Sequence, residues 1–227
     1  GLGTPRFPFG WGVDNAARYA IDMIKQYPQI SARNLAAKIL SMAFRNDGFQ
    51  SKDDTTCGVI YFREPRELLI CTGPPYNKED DSRLAAEVNS FKGKKIVMGA
   101  TTGDIVSREL GLKIEDVFKF EDPELPPINV MEGIDLFTEG ILTLNKVEKI
   151  LKAYNPANTK LNRGPADEIV KLILESDAIK IIIGTRINIA HQDPHLPVEL
   201  EIRRTVVNRI AQLLEEKLLK KVVVNYI

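Results

Sequence analysis

Lys94-Lys95-Ile96-Val97-Met98-Gly99-Ala100-Thr101-Thr102-Gly103-Asp104 passes from a short apolar run, through small residues, into a helical pattern. The spacing predicts a buried strand over Lys94 to Gly99 and a helix over Thr101 to Leu110, closed by Gly111. The same alternation continues on both sides. A helix is expected over Asp80 to Phe91. After the proline-rich connection Asp122 to Ile128, another is expected from about Thr143 to Tyr154, turning Val147, Ile150, Leu151 and Tyr154 inward. Pro165 suits the first turn of a helix reaching Ser176. Lys180 to Gly184 reads as a second apolar strand, Val198 to Leu218 as a long amphipathic helix and Val222 to Tyr226 as a last strand. Strands alternating with helices predict an α/β domain with a partly parallel sheet.

Upstream, Thr72-Gly73-Pro74-Pro75-Tyr76 is a strong stop signal, because proline cannot donate to a ladder. It divides the chain into residues 1–72 and 73–227. In the first part, Ala17, Ala20, Ile21 and Ile24 follow the capping side chain of Asp14 at helical spacing and stop near Tyr27-Pro28. Ser31 reads as the cap of a second helix carrying Leu35, Ile39, Met42 and Ala43, ended by Asn46-Asp47-Gly48. Two strands, Cys57 to Phe62 and Leu68 to Thr72, are expected to form an antiparallel hairpin around Arg63-Glu64-Pro65-Arg66. Two helices and one hairpin are too little for an independent layer.

The 227 residues are 44% hydrophobic, enough for a sizeable core. Lys plus Arg and Asp plus Glu number 31 each, and this balance argues against a nucleic-acid partner, whose phosphates are met by a basic excess. No apolar run approaches the roughly 20 residues of a membrane span, and no leader resembles a signal peptide, so a cytoplasmic location is expected. Cys57 and Cys71 lie on the two arms of the expected hairpin; as reduced thiols they read as small apolar residues.

Two segments carry candidate chemistry. Asp53-Asp54-Thr55-Thr56 runs into the β-branched, aromatic stretch Cys57 to Phe62. Paired carboxylates at the mouth of a strand can bind a hard cation such as Mg²⁺ or Mn²⁺, and the same residues are also ordinary turn formers. Asp53-Asp54-x-Thr56 before an apolar strand resembles the last motif of the metal-dependent serine/threonine protein phosphatases, in the bacterial branch related to stage II sporulation protein E. Gly1 to Trp11 is similar to the loop after that family's Ser-Asp-Gly motif, which is itself absent here. The resemblance implies that residues 1–72 are the C-terminal piece of an α/β phosphatase sandwich, followed by an accessory α/β domain. It makes Asp53 a metal ligand, with Asp54 a weaker one, in a site of two Mn²⁺ or Mg²⁺ ions that hydrolyses a phosphoprotein. No catalytic residue is assigned within this chain. The remaining metal motifs would lie upstream, so the chain alone should bind metal poorly, and it would associate with that N-terminal part or with a second copy.

In the second part, Gly99, Thr101, Thr102 and Gly103 sit where backbone N–H groups and a helix dipole attract an anion. The stretch lacks the lysine of a phosphate-binding loop and the three-glycine dinucleotide fingerprint. It is similar to a Gly-Gly-Thr-Thr in extensions of some phosphatases of the same branch, from which Ala100 departs. Arg186, Asn188 and His191 follow the strand at Lys180 to Gly184 and are expected to line one pocket with Thr101 and Thr102, taking a small anionic effector or nucleotide. Asp193-Pro194 between His191 and His195 favours a loop over a zinc-binding helix. Asp135 and Glu139, at helical spacing between glycines, are weaker pocket candidates.

Overall fold

A computed structural model describes residues 7, 10–50, 53–117, 120–156, 158–186 and 199–227. The protein is α/β and divides into two compact units, one from Gly1–Glu64 with Tyr154–Lys160, the other from Pro65–Ala153 with Leu161–Ile227.

In the first unit lie helices α1 (Val13–Gln26) and α2 (Ala32–Asn46). Ser31 caps α2 as its type suggests, with Oγ accepting the Asn34 N–H at 3.1 Å. The cap of α1 is instead Gly12, at φ 74°, and Asp14 sits in the first turn, where a carboxylate favours the helix dipole. Ile30, Leu35 and Tyr154 are buried, and the Tyr154 hydroxyl donates to Asn34 Oδ1 at 3.1 Å. Among the described residues, 53–64 form no strand, and Ile60 and Phe62 are 80% and 96% exposed. The expected hairpin is therefore not formed.

Its second arm belongs to the other unit. There the chain runs through β1 (Glu67–Thr72), α3 (Asp81–Ser90), β2 (Lys94–Met98), α4 (Ala100–Leu110), β3 (Ile114–Glu115), β4 (Val130–Met131) and β5 (Leu136–Thr138). It continues through α5 (Ile141–Ala153), α6 (Pro165–Glu175), β6 (Ala178–Ile183), α7 (Glu199–Gln212) and β7 (Lys221–Tyr226). Five strands pair in parallel in the order β5-β2-β1-β6-β7, while β3 and β4 form a small antiparallel ribbon. Strand β1 is the centre of the sheet because Leu68 to Thr72 are all buried. A continuous apolar run fits a strand covered on both faces; a hairpin arm with one wet face would alternate.

The two faces are covered separately. Leu69, Cys71, Val97, Phe137 and Ile182 pack with Leu84 and Val88 of α3 and Ile105 and Val106 of α4. On the opposite face, Ile70, Met98 and Ile181 meet Leu144 and Val147 of α5, Ile169 and Ile173 of α6, and Val207 and Ile210 of α7, around a gap of only about 10 Å³. Each such buried aliphatic side chain contributes about 1.5–3 kcal/mol. Burial, with a smaller effect from Glu87, pushes the Cys71 thiol up to about 12, so it behaves as a core residue. Cys57 and Cys71 are both free thiols.

Glu148 of α5 is a buried charge in the helical layer on the second face. Arg209 of α7 holds it with Nε and Nη2 at 2.7 and 2.9 Å, and Lys152 adds a third contact. The Arg209 hydrogen bonds lower its carboxyl below the ordinary 4.5, outweighing desolvation. A depressed acid contributes stability that is present above the unfolded value and lost as pH falls through the folded one. Stability should therefore decline below about pH 4.5, and Arg209→Ala should flatten that acid limb in urea unfolding followed from pH 6 to 3.

Gly184, directly after β6, is a point of close backbone approach. A Cβ there would run into the carbonyl oxygens of Gly73 and Pro74. Gly184→Ala is expected to cost about 3 kcal/mol or more, read as a fall in the urea midpoint. Gly58→Ala, with nothing within 4 Å of its Cβ position, should be near neutral.

Candidate functional site

The order of the sheet creates one distinctive place. The first three strands of the five-stranded sheet, β1, β2 and β5, extend it to one side, and β6 and β7 then extend it to the other. In open α/β sheets a crevice forms at the carboxyl ends of the strands flanking that reversal, here β1 and β6. Pairing of Thr72 with Met98 and with Ile183, and of Met98 with Thr138, brings the strand ends into one row. Each of β1, β2 and β6 then runs directly into a glycine: Gly73 at φ 83°, Gly99 at φ 96° and Gly184.

The turns after β1, β2 and β5 enclose a cavity of about 260 Å³, on the β1 side of that reversal, whose polar lining comes from Thr72, Thr101, Thr102, Glu139 and Arg203. Helix α4 opens onto it. Gly99 occupies the cap without a side-chain bond, and its own N–H donates to Thr138 O at 2.8 Å. Helix geometry leaves the N–H groups of Ala100, Thr101 and Thr102 without intrahelical acceptors. Thr102 Oγ1 accepts the Gly73 N–H at 2.8 Å, tying the end of β1 to this first turn. Arg203, from α7, lies so close over Gly73 that a Cβ on that glycine would stand 2.6 Å from Nη1. Glu139 turns toward α5, where one carboxylate oxygen accepts from the N–H groups of Leu142 and Thr143 at 3.1 and 3.3 Å.

Gly99, Thr101 and Thr102 thus meet at the cavity. Gly103 does not line it; a Cβ there would strike the Phe137 ring, so this glycine serves helix-to-sheet packing. Arg186 is also not among the lining residues. Its guanidinium bonds Asp81 Oδ1 at 3.1 Å and Tyr76 O at 3.3 Å, and the buried Asp81 also holds Arg108 at 2.7 Å. Asn188 and His191 lie outside the described residues. The cation of the site is Arg203, which no motif marked. Glu139 does reach the cavity, because Leu136–Thr138 is a strand rather than part of a helix, while Asp135 accepts from Lys94 Nζ and Lys95 N–H at 2.6 and 2.8 Å.

In the first unit, Asp53 and Asp54 line a cavity of about 680 Å³ that Trp11, Gly12, Asp47 and Thr56 also line. Both aspartates are exposed, and Asp53 Oδ1 accepts the Asp54 N–H at 2.8 Å. Among the described residues no three His, Cys, Asp or Glu side chains are gathered closely enough to hold a metal ion. Two carboxylates fit a contribution to a hard-cation site and fall short of the roughly six oxygens such an ion takes. Among the described residues no helix is long and apolar enough to cross a membrane. No family model, curated protein or solved structure matches the chain.

Calorimetric titration of the 227-residue chain with Mn²⁺ should accordingly show weak binding at most, and sub-micromolar binding abolished by Asp53→Asn would require further ligands supplied by the chain itself.

Proposed function

We propose that the chain is the C-terminal part of a bacterial Mn²⁺- or Mg²⁺-dependent phosphoserine/phosphothreonine protein phosphatase, joined to an α/β domain that binds a small anionic effector. The observation that carries the phosphatase half is that Asp53-Asp54 and the Trp11-Gly12 end of the amino-terminal segment line one cavity. Asp53-Asp54-x-Thr56 and the segment ending at Trp11 are two of the stretches that carry the phosphatase resemblance. Metal ions in such a site supply an activated water and neutralise charge building on the phosphoryl group. Asp53 would provide one carboxylate ligand, with Asp54 beside it, and the polypeptide must bring further acidic side chains to the same place. The effector half is supported by the cavity at the strand ends of the second unit, with its open helix terminus and arginine.

A second reading, a regulatory module without catalysis, is favoured by the hydrogen bond from the Asp54 N–H to Asp53 Oδ1, which is ordinary turn chemistry. One substitution separates the two. In a polypeptide that includes the family's acidic Asp-Gly motifs, Asp53→Asn should abolish Mn²⁺-dependent hydrolysis of a phosphoserine peptide while circular dichroism stays unchanged. Activity near wild type would remove Asp53 from the site and leave the module reading.

A further inference from the structure

The strand-end cavity of the second unit holds a buried polar group that the described residues leave unsatisfied. Thr72 is 1% exposed, lines the cavity, and its Oγ1 has no hydrogen-bond partner among the described residues. A buried hydroxyl left without a partner costs stability, and valine would fill the same space without that cost. Three other kinds of donor meet at the cavity: the N–H groups at the start of α4, the Thr101 hydroxyl and the Arg203 guanidinium. All are suited to an anion with several acceptor oxygens. The carboxylate of Glu139 is engaged by the first turn of α5.

We propose that this cavity binds the phosphate group of a small phosphorylated metabolite, seated on the amino terminus of α4 between Arg203 and Thr72. Phosphate fits better than a carboxylate because its oxygens point in tetrahedral directions and can meet the helix terminus, the guanidinium and the threonine at once. A carboxylate offers two oxygens in one plane. The volume of about 260 Å³ suits a phosphate group with a compact attachment such as a pentose. Gly73 and Gly99 let the backbone close in: a side chain at Gly73 would collide with Arg203, and Gly99 has a positive φ. This proposal deepens the effector-binding half of the proposed function and rests on it, independently of the phosphatase half.

The test is calorimetric titration of the 227-residue chain at constant ionic strength with inorganic phosphate, ribose 5-phosphate, AMP and, as a carboxylate control, succinate. Saturable binding of the phosphate compounds and none of succinate is expected. Tighter binding of ribose 5-phosphate or AMP than of inorganic phosphate would identify an ester as the ligand, and equal binding would identify the free anion. Arg203→Ala should weaken binding roughly tenfold or more. Thr72→Val, which keeps the shape of the core, should weaken it several-fold while the unliganded melting temperature stays level or rises. Succinate binding as tight as that of phosphate would overturn the phosphate assignment and leave an effector domain. No saturable binding of any probe, or phosphate binding indifferent to Thr72→Val and to Arg203→Ala, would overturn the site itself.

Discussion

Strand β1 is hydrogen-bonded on both sides, and the rest of the second unit depends on that pairing. Because Leu68 to Thr72 align with Lys94 to Met98 on one edge and with Ile179 to Ile183 on the other, three chain segments end at one level. Burial on both faces fixes this register, since a slip by one residue would exchange the side chains facing α3 and α4 for those facing the other three helices. The turns at Gly73 and Gly99 can share a cavity, with Gly184 packed behind Gly73, only because the strands before them are held in step.

Much of this architecture is local enough to read from sequence. The strands expected at Lys94 to Gly99 and Lys180 to Gly184 carry the apolar runs Ile96 to Met98 and Ile181 to Ile183, Gly111 closes α4 in the left-handed conformation at φ 68°, and Pro165 opens α6. What escapes is decided by distant partners. Leu68 to Cys71 is apolar whether it is a hairpin arm or a central parallel strand; only the burial of its second face distinguishes them. Strand β5 has just three residues, and Asp135 and Glu139 on either side imitate helical spacing. It is a strand because Leu136 to Thr138 pair with Ile96 to Met98.

The arginines illustrate the same limit at the level of the site. Arg186 follows β6 almost directly, the position at which ligand-binding side chains often stand. In the fold it is drawn instead to Asp81, a buried carboxylate that already holds Arg108, so its charge is committed to joining the end of β6 to α3. Arg203 lies on α7, reaches the crevice across Gly73, and has neither a motif nor an adjacent strand to announce it. Its position follows from the packing of α7 against the sheet, which no short window of sequence contains.

The two candidate sites differ in what each requires from outside itself. At the strand-end crevice, helix terminus, guanidinium and hydroxyl converge within one compact unit, so its donor set can be tested with the chain as it stands. At Asp53-Asp54 the carboxylates are exposed and one already accepts a neighbouring N–H, so their arrangement alone supports a turn as readily as a ligand pair. A hard dication would decide between these roles only when other oxygens complete its shell, because two carboxylates leave most of its coordination to water. The acidic pair therefore acquires metal chemistry from its company, whereas the crevice already has the donors its ligand needs.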